Sequence, residues 1–337
     1  MPPMRPLDLA FSHIDRGDFV RAAEVLDAAA RAGEPEAAHQ LARLHLYRLL
    51  DEADAALARG WLDSAANAGH GPARYTRALV EAGNADGRWA DDLKSAARGG
   101  HPLAQRSLRQ LLAAQAERDG GHVPDDPDAL DIAHASRTLP ALRDDEDWRL
   151  QRGAFTAGEA AALRALATPL LEPSQAWDAM SGSQVRVPIR TSHDAPIDPL
   201  LEDVALRLLQ RRLCSLAGLP PVNAEPMVVL RYRPGQEYRL HRDLLPPSTL
   251  ADPLQGRGGQ RAATVIAYLA AVEEGGETEF PKRELRVPPE PGAALVFRNL
   301  RPDGAPDADS LHAGLPVRRG EKWIATLWIR RGALRGF

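Results

Sequence analysis

The sequence has only one cysteine, no block of basic residues and no apolar run of membrane length. The single cysteine, Cys214, excludes a disulfide within the chain and is typical of proteins from a reducing compartment. It lies within the apolar pattern of a predicted helix at 200–219, which favours a core residue over a nucleophile. Because 42 basic residues stand against 46 acidic residues without forming a basic block, nucleic acid is not expected as a partner.

Targeting and membrane signals are missing as well. Residues 1–18 contain no long apolar segment of the kind found in signal peptides, and no apolar run elsewhere is long enough to span a membrane. We therefore expect a soluble, cytoplasmic protein without a membrane partner. At 337 residues the chain is longer than one typical domain, so two domains are expected.

Three alanine-rich segments recur at the start of the chain, at 26–44, 62–80 and 93–111. A unit of this length with two helical segments predicts a repeat solenoid, in which each unit buries its apolar face against the next. Each segment contains a glycine that is expected to end the first helix of its unit: Gly33, Gly69 and Gly100. The segments resemble Sel-one-like repeats, short relatives of tetratricopeptide units. Such arrays bind protein partners, so a protein partner and a supporting role for the next domain are both open.

The chain becomes acidic and proline-bearing after the repeats, which is typical of a linker. Thr156 and Glu159 then offer a capping box for the first helix of a second domain. We predict an α-helical repeat domain at 1–116, an acidic linker at 117–147 and a catalytic domain at 148–337.

Two distant motifs predict an iron site. The segment YRPGQEYRLHRD ends with His241 and Asp243, which point to the same side of an extended segment. The later segment SLHAGLPVRRGEKW supplies His312. Two imidazoles and one carboxylate are the ligand set that leaves open positions on a non-haem Fe(II) ion for oxygen activation. The same His-x-Asp spelling at His13 and Asp15 lacks this context and is interpreted as chance.

Apolar segments punctuated by glycine and proline predict several strands, at 227–232, 261–272, 293–300 and 323–330. Several strands of this kind favour a sandwich or barrel. A jelly roll would bring His312 to the other two ligands on an adjacent strand.

Residues 148–330 resemble the prolyl 4-hydroxylase family of Fe(II)- and 2-oxoglutarate-dependent dioxygenases. The resemblance rests on motifs that occur in order: RTS at 190–192, the helix at 200–219, NAEPMVVLRYRPGQEYRLHRD, GGQRAATVIAYL, EEGGETEFP, PGAALVFRNL, DGAPDADSLHAGLPV and GEKWIATLWIR. It implies a double-stranded β-helix, or jelly roll, with supporting helices. The expected fold is therefore multidomain, with an N-terminal α-helical repeat solenoid followed by this jelly roll.

The resemblance also assigns roles to residues. It makes His241, Asp243 and His312 the iron ligands and catalytic centre. Lys322 would bind the distal carboxylate of 2-oxoglutarate, a counter-charge that a buried ammonium requires. The remaining assignments are to the cosubstrate pocket for Tyr232, Thr326 and Trp328, and to the peptide substrate for Tyr238 and Arg261. A core position stays open for the aromatic residues Tyr232 and Trp328, and a strand-edge role stays open for Arg261.

The implied activity is that of an oxidoreductase that hydroxylates a C–H bond and releases succinate and CO2. Its expected requirements are Fe(II), 2-oxoglutarate and O2, with ascorbate as a reductant, and its expected substrate is a prolyl residue in a peptide or protein. Arg330 stands where many prolyl hydroxylases have histidine, and the loop at 281–290 is short. A free amino acid or another small molecule is therefore an alternative substrate. A non-catalytic repeat adaptor with an inactive oxygenase domain is a further alternative, which the intact ligands disfavour.

Overall fold

A computed structural model of the protein describes residues 5–178, 183–185 and 190–337, so residues 1–4 of the N-terminal segment lie outside it. The α-helices of this part are α1 (Pro6–Asp15), α2 (Phe19–Arg31), α3 (Pro35–Leu46), α4 (Ala55–Asn67), α5 (Gly71–Val80), α6 (Arg88–Arg98), α7 (Pro102–Asp119), α8 (Ile132–Ala135), α9 (Ala157–Ala167), α10 (Val204–Leu216) and α11 (Pro247–Ala251). Among these described residues, no helix is at once long enough and apolar enough to cross a membrane.

The strands follow mainly in the second half of the chain. They are β1 (Trp148–Gln151), β2 (Glu172–Pro173), β3 (Ala176–Asp178), β4 (Ser183–Val185), β5 (His193–Pro196), β6 (Val228–Tyr232), β7 (Tyr238–His241), β8 (Arg261–Tyr268), β9 (Glu274–Gly275), β10 (Thr278–Phe280), β11 (Leu285–Val287), β12 (Ala294–Arg298), β13 (His312–Gly314), β14 (Val317–Arg319) and β15 (Lys322–Arg330). The strands predicted around 227–232, 261–272, 293–300 and 323–330 are confirmed as β6, β8, β12 and β15.

The N-terminal region is helical, and each helix from α1 to α7 packs against the next one in the chain. The predicted helix ends are confirmed, because Gly33, Gly69 and Gly100 follow α2, α4 and α6 with φ angles of +93°, +89° and +84°. Glycine adopts this left-handed conformation without the steric cost that other residues meet. The assignment of these helices as a repeat solenoid stays a prediction.

Arg77 occupies the position at which the other two alanine-rich segments have leucine, and the structure supplies the reason. Its guanidinium donates hydrogen bonds of 2.6 and 2.8 Å to the two carboxylate oxygens of Asp92 and one of 3.0 Å to Asp63. Arg77 and Asp92 are each only 6% exposed. A buried cation is tolerated here because two carboxylates surround it.

We expect Arg77→Leu, which restores the leucine of the other segments, to destabilise the helical region by about 3 kcal/mol, because it leaves the Asp92 charge buried and unpaired. The free energy of unfolding from urea titrations measures this loss. Adding Asp92→Leu should recover most of it, since the whole pair is then apolar. Arg31→Leu is a matched control, because the Arg31 pair with Asp27 lies at the surface and its loss should change little. Equal effects of Arg77→Leu and Arg31→Leu would contradict the prediction.

Two antiparallel sheets form the second half of the molecule. The larger has seven strands in the order β1-β12-β8-β15-β6-β5-β2, and the smaller has four in the order β11-β10-β13-β7. Successive residues of a strand face opposite sides of its sheet. On β15, Trp323, Ala325 and Leu327 join an apolar core with α9 and α10, whereas Ile324 joins a second core that contains Phe280 from the smaller sheet. The helices therefore cover one face of the large sheet, and the space between the sheets lies on the other, as expected for a jelly roll.

Helix α10 connects the helical region to the sheets. Its residues Val204 and Leu208 belong to the apolar core of the N-terminal helices, whereas Leu209 and Leu213 belong to the core under the large sheet. The predicted helix at 200–219 is thus confirmed with shorter bounds, 204–216. The predicted capping box of α9 is also confirmed. Because one helix fills both cores, the two parts of the chain support each other.

Candidate functional site

The pairing of β7 with β13 places His312 directly opposite His241. This confirms the prediction that an adjacent strand brings the distant histidine to the other two residues. Asp243 follows β7, with its Oδ1 atom 3.5 Å from Nε2 of His241 and its Oδ2 atom 3.8 Å from Nε2 of His312. The three side chains offer one ligand atom each within 4.8 Å of one another.

Backbone carbonyls determine which nitrogen of each imidazole faces this cluster. Nδ1 of His241 donates to the carbonyl oxygen of Arg239 at 2.8 Å, and Nδ1 of His312 donates to that of Ser310 at 2.9 Å. A carbonyl only accepts, so Nδ1 carries the proton and Nε2 keeps its lone pair in the neutral ring. Such bonds to the far nitrogen are how proteins orient histidine ligands of metals.

The charges of the cluster suit a divalent cation. Burial by itself raises the pKa of Asp243, but His312, His241 and Arg261 outweigh it and hold that pKa well below its usual range. Burial, with a smaller contribution from His241, lowers the pKa of His312 to about 4. The ionised carboxylate of Asp243 and the Nε2 atoms of the two imidazoles therefore lie within 4.8 Å of one another. The donor set fits Fe(II), which two histidines and one carboxylate bind with open positions remaining.

The three side chains line part of a cavity between the two sheets. Its wall includes five of the residues predicted for the cosubstrate and the substrate, namely Tyr232, Tyr238, Lys322, Thr326 and Trp328. The residues from β15 reach it together because positions 322, 326 and 328 lie on the same side of that strand. Their roles as binding residues stay predictions.

Lys322 brings a buried positive charge to this cavity. It is 2% exposed, and its ammonium lies 5.4 Å from the ring centre of Tyr232. Among the described residues, no carboxylate oxygen lies within 4.0 Å of its ammonium, although the more distant Glu277 acts to raise its pKa. Burial lowers its pKa to about 8. A buried ammonium that faces a cavity and forms no close ion pair with the described residues fits a carboxylate of a small ligand such as 2-oxoglutarate.

Arg261 is differently placed from the other predicted residues. It donates two hydrogen bonds of 2.7 Å to the carboxylate of Glu225, and its guanidinium lies 4.0 Å from the ring centre of Trp328. Arg261 therefore contacts the cavity wall through Trp328, and its predicted contact with substrate stays a prediction. Nε1 of Trp328 is buried and, among the described residues, has no hydrogen-bond partner.

Arg330 shares the same carboxylate. Its Nε atom donates to Glu225, and its Nη1 atom donates to the carbonyl oxygens of Gln255, Arg257 and Gly259 at 3.0, 3.3 and 3.0 Å. The arginine that replaces histidine at this position thus holds the loop before β8 in place.

Arg190 is a cavity residue that the sequence analysis did not assign. Its guanidinium lies 5.1 Å from the ring centre of Tyr238, and that ring in turn stacks on the His241 ring at 3.5 Å. An ion pair of 2.9 Å with Asp194 holds it there. The RTS motif at 190–192 was a signal for this residue, but the motif alone did not indicate what the arginine contacts.

A second group of possible ligands, Glu36, His39 and His70, lies among the N-terminal helices. Nδ1 of His70 accepts a hydrogen bond from the backbone N–H of Ala73, so in the neutral ring Nε2 carries the proton and donates to Glu36 at 2.8 Å. Nε2 of His39 bonds to Thr76 at 2.8 Å. His70 has no lone pair left for a metal, so we interpret this group as structural.

Comparisons with known proteins agree with this geometry. Residues 227–330 match the family model of the 2OG-Fe(II) oxygenase superfamily. Probable prolyl 4-hydroxylase 7 of Arabidopsis thaliana is 36% identical over 182 residues, which cover 49% of this chain and 56% of that protein. Prolyl 4-hydroxylase 1 of the same plant is 34% identical over 186 residues, which cover 51% of this chain and 64% of that protein.

Among solved structures, the viral collagen prolyl hydroxylase of Paramecium Bursaria Chlorella virus-1, in its 2OG complex, is similar with 29% identity and a TM-score of 0.44. That similarity covers 56% of this chain and 97% of the viral protein. The chain spans less than two thirds of the length of the plant relatives described above. Residues 227–330, the segment that matches the 2OG-Fe(II) oxygenase family model, contain the candidate ligands His241, Asp243 and His312.

Proposed function

We propose that this protein is an Fe(II)- and 2-oxoglutarate-dependent dioxygenase that hydroxylates a prolyl residue of a peptide or protein. The observation that carries the proposal is the convergence of two imidazole lone pairs and one carboxylate beside a cavity that also contains an unpaired buried lysine. The names of the plant relatives support the prolyl substrate.

Each residue has a defined task in this proposal. His241, Asp243 and His312 would hold Fe(II), and the ammonium of Lys322 would pair with the distal carboxylate of 2-oxoglutarate. Iron and 2-oxoglutarate, when bound, supply the oxygen activation that leads to hydroxylation with release of succinate and CO2. Tyr232 would border the same carboxylate, because Lys322 already lies over its ring. Ascorbate would keep the iron reduced.

The substrate would approach the iron past Tyr238, Arg190 and Trp328. Tyr238 stacks on His241, and Arg190 lies over the Tyr238 ring, so both are near the candidate iron ligands. The free N–H of Trp328 offers a hydrogen-bond donor in an apolar wall, where an unmatched donor favours a ligand that accepts. A peptide carbonyl next to proline is such an acceptor.

A free amino acid or small molecule is the second candidate substrate. The support for it is Arg330, whose four hydrogen bonds to Glu225 and three carbonyls leave it unavailable to a peptide. Succinate release measured with proline-containing peptides and with free amino acids separates the two candidates.

We further propose that the N-terminal helices are Sel-one-like repeats whose main role is to support the oxygenase domain. The shared helix α10 supports this role, as does the 3.3 Å ion pair between Arg106 of α7 and Asp203 at the start of α10. Glu117 of α7 also accepts hydrogen bonds from the first backbone N–H groups of α9. Binding of a protein partner is the alternative for the same region.

Anaerobic addition of 2-oxoglutarate to the protein loaded with Fe(II) tests the enzymatic proposal. We expect a weak visible charge-transfer band that needs both components, followed by succinate release when O2 and a proline-containing peptide are added. The metal-loaded protein without 2-oxoglutarate is the control. Bound iron without any band would show that the 2-oxoglutarate assignment is wrong.

A further inference from the structure

A hydroxyl group on β8 contacts the carboxylate of the candidate iron site. Thr264 is fully buried, and its Oγ1 atom donates a hydrogen bond of 2.8 Å to Oδ2 of Asp243. Pairing of β8 with β15 and with β12 places Thr264 between Trp328 and Phe297. Both neighbouring strands hold its backbone, so the hydroxyl has a defined position.

A second buried residue controls this hydroxyl. Nδ2 of Asn299, which is also fully buried, donates a hydrogen bond of 2.9 Å to Oγ1 of Thr264. The direction of both bonds follows from elementary chemistry. An ionised carboxylate only accepts, so Thr264 must donate its single proton to Asp243, and Asn299 must then present its amide nitrogen.

The backbone of Asn299 is also anchored. Its N–H donates to the carbonyl of Ala262 at 2.8 Å, and its carbonyl accepts from the N–H of Asp307 at 2.9 Å. The chain of donors therefore runs from a fixed backbone through two buried side chains to one carboxylate oxygen.

We propose that Asn299 and Thr264 are positioning residues that hold the Asp243 carboxylate in the orientation required to bind the metal. This inference rests on the proposed function, since it concerns the same iron site. The carboxylate could otherwise rotate about its side chain, because Asp243 lies beyond the end of β7. The bond from Thr264 restrains that rotation and keeps one oxygen beside each imidazole.

A purely structural role would favour a different residue at this position. Valine has nearly the shape of threonine, suits a buried strand and carries no hydroxyl that needs a partner. The hydroxyl of Thr264 instead donates a hydrogen bond to the candidate ligand Asp243. Removal of this hydroxyl is therefore expected to lower the affinity of the protein for a metal ion.

The test is the dissociation constant of Co(II) alone, measured by calorimetry on the full chain for a series of variants at position 264. Thr264→Val and Thr264→Ala lack the hydroxyl and are expected to bind Co(II) about 10- to 100-fold more weakly, the usual cost of losing a partner behind a metal ligand. Thr264→Ser keeps the hydroxyl and should bind like the natural protein. Asn299→Leu, which frees the hydroxyl to rotate, should also weaken binding.

The series separates positioning from packing. If packing determines the Co(II) affinity, the loss follows side-chain size, and the serine and alanine variants bind more weakly than the valine variant. If positioning determines it, the loss follows the hydroxyl, and only the serine variant keeps the natural affinity. Thr278→Val is the matched control, because the Thr278 hydroxyl is also buried but bonds to Tyr268 at 2.9 Å. Its Co(II) affinity should not change.

Two results would overturn different claims. Unchanged Co(II) affinity in Thr264→Val and Thr264→Ala, or a loss that follows size, overturns the positioning role and leaves the proposed function standing. A natural protein that binds no Co(II) overturns the proposed function itself. If Thr264→Val does not fold, the comparison of alanine with serine decides, because both remove the same methyl group and differ only in the hydroxyl.

Discussion

Asp243→Asn is expected to reduce succinate release to the level of the metal-free protein. The change keeps the size of the side chain but removes the negative charge and places an N–H₂ group near the imidazole lone pairs of His241 and His312. Loss of a ligand should cost more than the roughly 100-fold that loss of a supporting residue costs. Iron content after desalting and succinate release measure the two consequences.

The chain contains a matched control for this experiment. His13 and Asp15 have the same His-x-Asp spelling, but they lie on α1, and Asp15 is exposed. Asp15→Asn should therefore leave both iron content and turnover unchanged. Full iron content and turnover in Asp243→Asn would rule out the proposed iron site, and an equal loss in Asp15→Asn would mean that the effect is not specific.

Much of the candidate site was predictable because it depends on local geometry. Residues two apart in an extended segment share a side, which predicted the approach of His241 and Asp243 and the common face of Lys322, Thr326 and Trp328 on β15. The approach of His312 required only that its strand lie beside β7, which a jelly roll provides.

Other features were not predictable because they depend on partners far apart in the chain. The contact of Thr264 with Asp243 requires the register of β8 against its neighbours, and no pattern in either segment indicates it. Arg261 could be expected near the substrate, but its pairing with Glu225, 36 residues away, is visible only in the folded chain. Arg77 looked like a departure from the repeat until Asp92 proved to lie beside it.

Lys322→Ala is expected to weaken the binding of 2-oxoglutarate to the iron-loaded protein by about 100-fold. Removing one partner of a buried charge pair costs about 3 kcal/mol, and each 1.4 kcal/mol changes a dissociation constant by about tenfold. Titration of the charge-transfer band with 2-oxoglutarate under anaerobic conditions measures the change. Iron content should stay at the natural level, because Lys322 is not one of the three ligand candidates.

The affinity for 2-oxoglutarate should also depend on pH through this lysine. Burial lowers the pKa of Lys322 to about 8 from the ordinary value of 10.5, so the free protein begins to lose the ammonium charge above about pH 8. Only the charged form attracts a carboxylate. The apparent affinity is therefore expected to be constant below that pH and to fall by about tenfold for each pH unit above it, because each unit then reduces the charged fraction by that factor.

The variant Lys322→Arg tests whether titration of Lys322 causes this pH dependence, because it keeps a positive charge that does not titrate in this range. Arginine stays protonated throughout this range, so the pH dependence above about pH 8 should disappear in this variant whatever its absolute affinity. The natural protein and Lys322→Ala serve as the two references. The affinity of the natural protein for 2-oxoglutarate should depend steeply on pH, and that of Lys322→Ala should be weak at every pH. An affinity for 2-oxoglutarate that falls equally with pH in the natural protein and in Lys322→Arg would assign the titration to another group. Unchanged affinity in Lys322→Ala would remove the lysine from the cosubstrate site, because a cation that pairs with the distal carboxylate cannot be deleted without cost.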